Sequence, residues 1–209
     1  MKSIEKLIQK KCKEREINMK IFVQDCFQWI AFHIIEQLID NGYTVYGKHE
    51  AVTSQAEFLS SFLGRNSLFH YVNDDQGTYD MKLTLTQDKL IMTQQQDQGR
   101  ITMRLPILFG EWMTMDESAI TIDGKRLAFS SSIFLKEAIY IHDFVQGINQ
   151  WLNSSYLPED FVVFSTRSDQ KEDIKLDKTI YIRDNIPIEY RLEQLLVHYQ
   201  KYKDIYYQQ

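Results

Sequence analysis

The stretch from Ile21 to Ile39 limits the fold more than any other feature of the chain. It is apolar almost throughout, broken only by Gln24, Asp25, Gln28, His33, Glu36 and Gln37. A membrane span asks for about 20 largely apolar residues with few charges, so these interruptions point to a segment buried on all sides of a soluble core. With Asn18 as an N-cap and Gly42 as a stop, the pattern predicts one central helix from Asn18 to Asp40. A chain of 209 residues can bury roughly 70% of its unfolded surface. It therefore has material to surround such a helix.

The rest of the chain shows two periods. Ile4, Leu7, Ile8 and Cys12 recur at helical spacing and predict a short amphipathic helix over 3–15. Thr53 or Ser54 caps another helix that ends at Gly64. From Leu68 onward the pattern alternates, with strands expected at Leu68–Val72, Asp80–Thr86, Leu90–Gln95 and Arg100–Leu105. Asp123-Gly124 joins two further strands as a hairpin. One helix is expected from Ser131 or Ser132 through Leu152, then a strand at Phe161–Phe164. A last hairpin is expected at 174–182, and a terminal amphipathic helix after Pro187. Runs of strands set apart from runs of helices define an α+β class. The expectation is N-terminal helices including one central buried helix, an antiparallel and mostly meander sheet, and a C-terminal amphipathic helix. No linker is visible, which predicts a single domain over 1–209 with a soft boundary near 73–78. Residues 80–152 have the element order of a pleckstrin-homology-like half-barrel, which would imply a lipid or small-ligand module on the middle strands.

The charge is acidic overall, with 24 Lys and Arg against 29 Asp and Glu. That balance disfavours a protein that coats DNA, which needs many phosphate-neutralising cations. Residues 1–20 nonetheless hold seven basic and three acidic groups. Lys6, Lys10 and Lys13 on the first helix are thus candidates for contact with an anionic partner. Two cysteines, Cys12 and Cys26, at no metal or redox spacing predict a reducing, cytoplasmic setting. No metal ligand set and no cofactor motif is recognisable. Gly42 to Gly47-Lys48 has the spacing of a Walker A loop, but His49 stands where the hydroxyl should be, and Tyr43–Tyr46 is a stiff strand-like run.

Arg191 and His198 lie seven apart on the terminal helix. The pair resembles the Arg-x(4–6)-His arrangement of the helical HEPN ribonucleases, a resemblance that implies metal-independent action on an RNA phosphate. His142-Asp143 is similar to the dyad of HD-type phosphohydrolases. Tyr199, Tyr202 and Tyr206 at helical spacing are candidates for partner contact, because tyrosine is enriched at interfaces; equally, they can cover a core.

These features predict a non-enzymatic binding or regulatory protein that works through a protein partner or self-association. The alternative is a phosphoester-cleaving enzyme using Arg191 and His198. Nucleic acid is not the favoured partner at this stage. Polar side chains are expected to be scattered by solubility and packing, not gathered into a reactive cluster.

Overall fold

The computed structural model describes residues 19–95, 99–154, 157–169 and 178–206. The expected helix over 3–15, with Lys6, Lys10 and Lys13, lies outside them. The chain first alternates strand and helix: β1 (Lys20–Gln24), α1 (Trp29–Asp40), β2 (Thr44–Lys48), α2 (Ser54–Leu63) and β3 (Phe69–Tyr71). A meander follows, made of β4 (Met81–Leu85), β5 (Lys89–Gln94) and β6 (Arg100–Arg104). Next come β7 (Leu108–Phe109), the hairpin of β8 (Ala119–Ile122) and β9 (Lys125–Ala128), and α3 (Ser132–Glu137). β10 (Ile139–Tyr140), α4 (Ile141–Leu152), β11 (Asp160–Ser165), β12 (Thr179–Ile182), α5 (Ile188–Lys201) and α6 (Lys203–Tyr206) follow.

The sheet corrects the expected fold class. Eight strands lie in the order β12-β11-β6-β5-β4-β1-β2-β3. Every pairing is parallel except β4 with β5 and β5 with β6, so β5 alone runs against the rest. The meander exists, but it sits inside a mixed and mostly parallel sheet. The central helix is also shorter than expected. Lys20–Gln24 is a strand, and Asp25 at φ 53° turns the chain before α1 begins. A parallel strand buried on both faces reads as an unbroken apolar run, and periodicity cannot separate it from a buried helix. The helix expected from Ser131 to Leu152 is likewise divided. Ala138 is extended, and Ile139–Tyr140 pairs in parallel with β7 before α4 starts.

Several local expectations correspond to observed elements. Thr53 caps α2, its Oγ1 accepting the Ala56 N–H at 3.1 Å. Asp123 and Gly124 both take positive φ, 52° and 72°, as a two-residue hairpin turn demands.

The two faces of the sheet differ. Ile21, Val23, Val45, Leu83, Leu90, Met103 and Val163 point to one side and join α1, α2 and α4 in a continuous core. On the other side Tyr46, Thr84, Ile91, Thr102, Val162 and Phe164 are only half-buried. Phe22 and Tyr79 are buried on that side, ring against ring at 5.1 Å, outside the main core. No helix of the described residues is long and apolar enough to cross a membrane.

Candidate functional site

The order β3-β2-β1-β4 makes β1 the point at which the chain reverses its direction across the sheet. The chain leaves β1 through α1 to β2 on one flank and later returns to place β4 on the other. In open α/β sheets such a switch point opens a crevice outside the carboxyl ends of the strands. A cleft of about 330 Å³ lies there. Gln28 to Ile30 at the start of α1, Thr86 to Asp88 after β4, and Leu105 to Leu108 after β6 form three of its walls, and the β8–β9 hairpin roofs it through Ile120 and Thr121. Its floor is apolar and its rim carries hydroxyls, amides and two carboxylates, Asp88 and Asp123.

The first strand-to-helix turn, where this topology would cradle a pyrophosphate, is closed. Such turns use glycines so that the backbone can approach phosphate. Here the turn reads Asp25-Cys26-Phe27-Gln28. Cys26 is fully buried, and burial pushes its thiol up to about 12. A Cβ on Gly47 would stand 2.7 Å from Cys26 Cβ and 2.8 Å from the Phe69 ring, so Gly47 serves close packing inside β2. Phe27 lies flat against Tyr71 at 5.9 Å. The Gly42–Lys48 segment is therefore the lead into a strand and the strand itself, not a phosphate loop.

A second assembly gathers polar groups where α1, α4 and α5 meet. Glu111, in the loop after β7, is its hub. Its Oε1 accepts the Tyr140 hydroxyl at 2.6 Å, and His142 Nε2 stands 3.4 Å from its Oε2. That second contact is not a hydrogen bond, since the buried Oε2 lacks a hydrogen-bond partner, and it becomes an ion pair when His142 is protonated. Burial pushes the Glu111 carboxyl up, but the contacts with His142, Tyr140 and a backbone N–H outweigh it and hold the group at about 2. The same carboxylate raises His142. Burial raises Tyr140, and the Glu111 charge adds to it. His33 Nε2 lies 3.2 Å from the Glu111 carbonyl, and its Nδ1 lies 3.2 Å from Glu36. Arg191 packs over the Tyr140 ring at 4.2 Å and faces Asp143 at 3.8 Å, while Asn185 donates to Asp143 at 2.9 Å. Polar groups are thus gathered at this junction, and they bond to one another. Among the described residues, no three His, Cys, Asp or Glu side chains form a metal-holding group.

Arg191 and His198 both face this assembly, yet each has its own structural partners. His198 Nδ1 meets the Tyr206 hydroxyl at 2.9 Å and its ring stands edge-on to Trp112 at 4.5 Å. Burial lowers its pKa. Tyr206 also accepts the backbone N–H of Trp112 at 2.9 Å, so one hydroxyl joins the terminal helix to the loop after β7 and to His198. Tyr199 and Tyr206 are core residues, 0% and 5% exposed, and Tyr202 is half-buried. The tyrosine stripe therefore seats the terminal helix; it does not face outward. Glu111 and Tyr140 carried no sequence signal, since neither belongs to a motif and the fold alone brings them together.

No family model and no curated protein matches the chain. Among solved structures, the yeast methylglyoxal/isovaleraldehyde reductase Gre2 complexed with NADPH matches at 31% identity, over 26% of this chain and 18% of that one, with a TM-score of 0.23. At that TM-score the likeness carries no weight for fold or function.

Proposed function

We propose that this chain is a non-enzymatic binding or regulatory protein and that the switch-point cleft holds a small organic ligand, through which the chain acts on a protein partner or a second copy of itself. The position of the cleft carries the reading: about 330 Å³ at the carboxyl ends of β1, β4 and β6, with an apolar floor and a polar rim. That volume falls at the lower end of the range for small-molecule sites in general, about 300–1,000 Å³. The closed Asp25–Gln28 turn argues that the ligand is not held by a pyrophosphate. A cytoplasmic location belongs to the same proposal and rests on the sparse cysteines. The test is thermal stabilisation by a metabolite panel, in wild type and in Thr121→Trp, which fills the cleft. A ligand near 100 times its Kd should stabilise by about 2.7 kcal/mol, and Thr121→Trp should abolish the shift. A panel without a stabilising compound, or a shift that survives Thr121→Trp, would reject the cleft.

A second reading, metal-independent phosphoester cleavage by Arg191 and His198, has one observation in its favour. Both side chains face the Glu111 assembly, where an arginine could bind a phosphoryl group and a histidine could move a proton. RNA cleavage in the presence of EDTA, lost in a folded His198→Ala protein, would establish it. Absence of cleavage by wild type would remove it.

A further inference from the structure

The outer face of the sheet is a surface that neither reading uses. Directly paired residues on neighbouring strands point to the same side, so the register fixes its membership. Phe22 pairs with Tyr46 and Lys82, Lys82 with Thr93, Lys89 with Arg104, and Thr93 with Arg100. With Lys20 and Lys48, six cations lie on this face: Lys20, Lys48, Lys82, Lys89, Arg100 and Arg104. Two carboxylates lie among them in the described residues of the sheet and its strand ends: Asp160, next to Thr102, and Asp80, which accepts the Lys20 backbone N–H at 2.8 Å. Asp75 and Glu50 pair with Lys82 and Lys48 from adjoining loops. Among the described residues, none makes an ion pair with Lys89, Arg100 or Arg104. A chain of net charge −5 thus concentrates cations on one open surface.

Aromatic rings flank that basic centre. Tyr46 and His70 stand ring to ring at 5.0 Å, tilted by 31°, on one flank, with His70 exposed. Phe164 and Tyr181 stand cross-strand at 6.2 Å on the other, both half-buried. Six strand spacings of about 4.8 Å separate β2 from β12, so the platforms lie about 29 Å apart. Thr84, Thr93 and Thr102 place hydroxyls between them. A parallel sheet normally has both faces covered by helices, yet most of this face stays half-buried to exposed, Phe22 being buried beside Tyr79, with Ile133 and Glu137 of α3 alongside Arg104, Val162 and Phe164.

We propose that the outer face binds single-stranded nucleic acid. Cations track a phosphate backbone, and exposed or half-buried rings give bases a stacking surface. A duplex would present phosphates and leave the rings without a role, whereas a strand of about 4–6 nucleotides spans the distance between them.

The experiment is fluorescence anisotropy of the full chain with fluorescein-labelled oligo(U) and oligo(dT) of 15 nucleotides, which also separates RNA from DNA. Binding should weaken with salt, with a log–log slope near −0.7 per neutralised phosphate. Lys89→Glu/Arg104→Glu should reduce affinity at least tenfold and flatten the slope. Tyr181→Ala should reduce oligonucleotide affinity roughly tenfold while leaving the binding of heparin, a polyanion without bases, unchanged. Four results would overturn the proposal: no oligonucleotide binding by wild type; affinity unmoved by the double reversal; equal losses for heparin and oligonucleotide in Tyr181→Ala; or binding to phosphatidylserine vesicles in place of oligonucleotides. If the double reversal instead dissolves a dimer seen by sedimentation and leaves oligonucleotide affinity intact, the face is a self-association surface and the proposal fails. The salt slope of wild type decides the electrostatic part without any variant.

Discussion

Leu83 and Thr84 are neighbours in β4, and they belong to different environments. Leu83 is 1% exposed and belongs to the main core; Thr84 stands half-buried on the other side of the sheet beside Ile91. The inner face follows the rules of a core, with shape and apolar volume as its currency. The outer face keeps enough apolar contact to hold the strands and spends its remaining positions on cations, rings and hydroxyls. One sheet therefore separates stability from recognition by the alternation of side chains along each strand.

The contrast can be broken most severely from inside. Leu83→Ala should cost about 2–5 kcal/mol in urea unfolding, since a fully buried leucine loses its transfer energy and leaves a cavity. A loss below about 1 kcal/mol would show that the inner face is not close-packed there.

Next in size is Glu111, the charged hub beneath α5. Its carboxyl is held at about 2 against an ordinary 4.5, so the folded state favours the ionised form. Its contribution is fully present above 4.5 and fades as pH falls towards 2, and at neutral pH it is on the order of 3 kcal/mol. Glu111→Gln should be clearly less stable than wild type at pH 7, and the gap should narrow steadily between pH 4.5 and 3. A gap independent of pH would mean that Glu111 acts through packing alone.

Smaller effects sharpen the comparison. Thr53→Ala removes the cap of α2 on the covered side and should cost about 1 kcal/mol, read as a shift in denaturation midpoint. Thr84→Ala, on the open side, should stay within about 0.5 kcal/mol. A larger change there would mean that something covers the outer face.

Local chemistry made several elements legible before the fold was known. The Thr53 cap, the Asp123-Gly124 turn and the stripe of the terminal helix each depend on residues close in sequence, and each stands in the structure. The failures share one cause. Ile21-Phe22-Val23 looks helical because a strand buried on both sides loses its alternation, and whether a neighbour lies at a strand's flank is not written in the strand itself. The β4–β5–β6 meander was legible from its alternation, but alternation says nothing about the partners of its outer strands. Those partners, β1 and β11, are parallel and distant in sequence. The site was less legible still. Arg191, His198 and His142 drew attention as residue types, while Glu111 and Tyr140, which organise them, did not.

The sequence by itself determined where the chain turns, which segments have an apolar stripe, and that the overall charge is negative, because these are properties of near neighbours and of composition. Only the tertiary structure decided that the strands assemble mostly in parallel, that Glu111 meets Tyr140 and His142 through its carboxylate and His33 through its carbonyl, and that scattered lysines and arginines share one face. Strand order and register set those meetings, and they follow from long-range packing that no local pattern encodes.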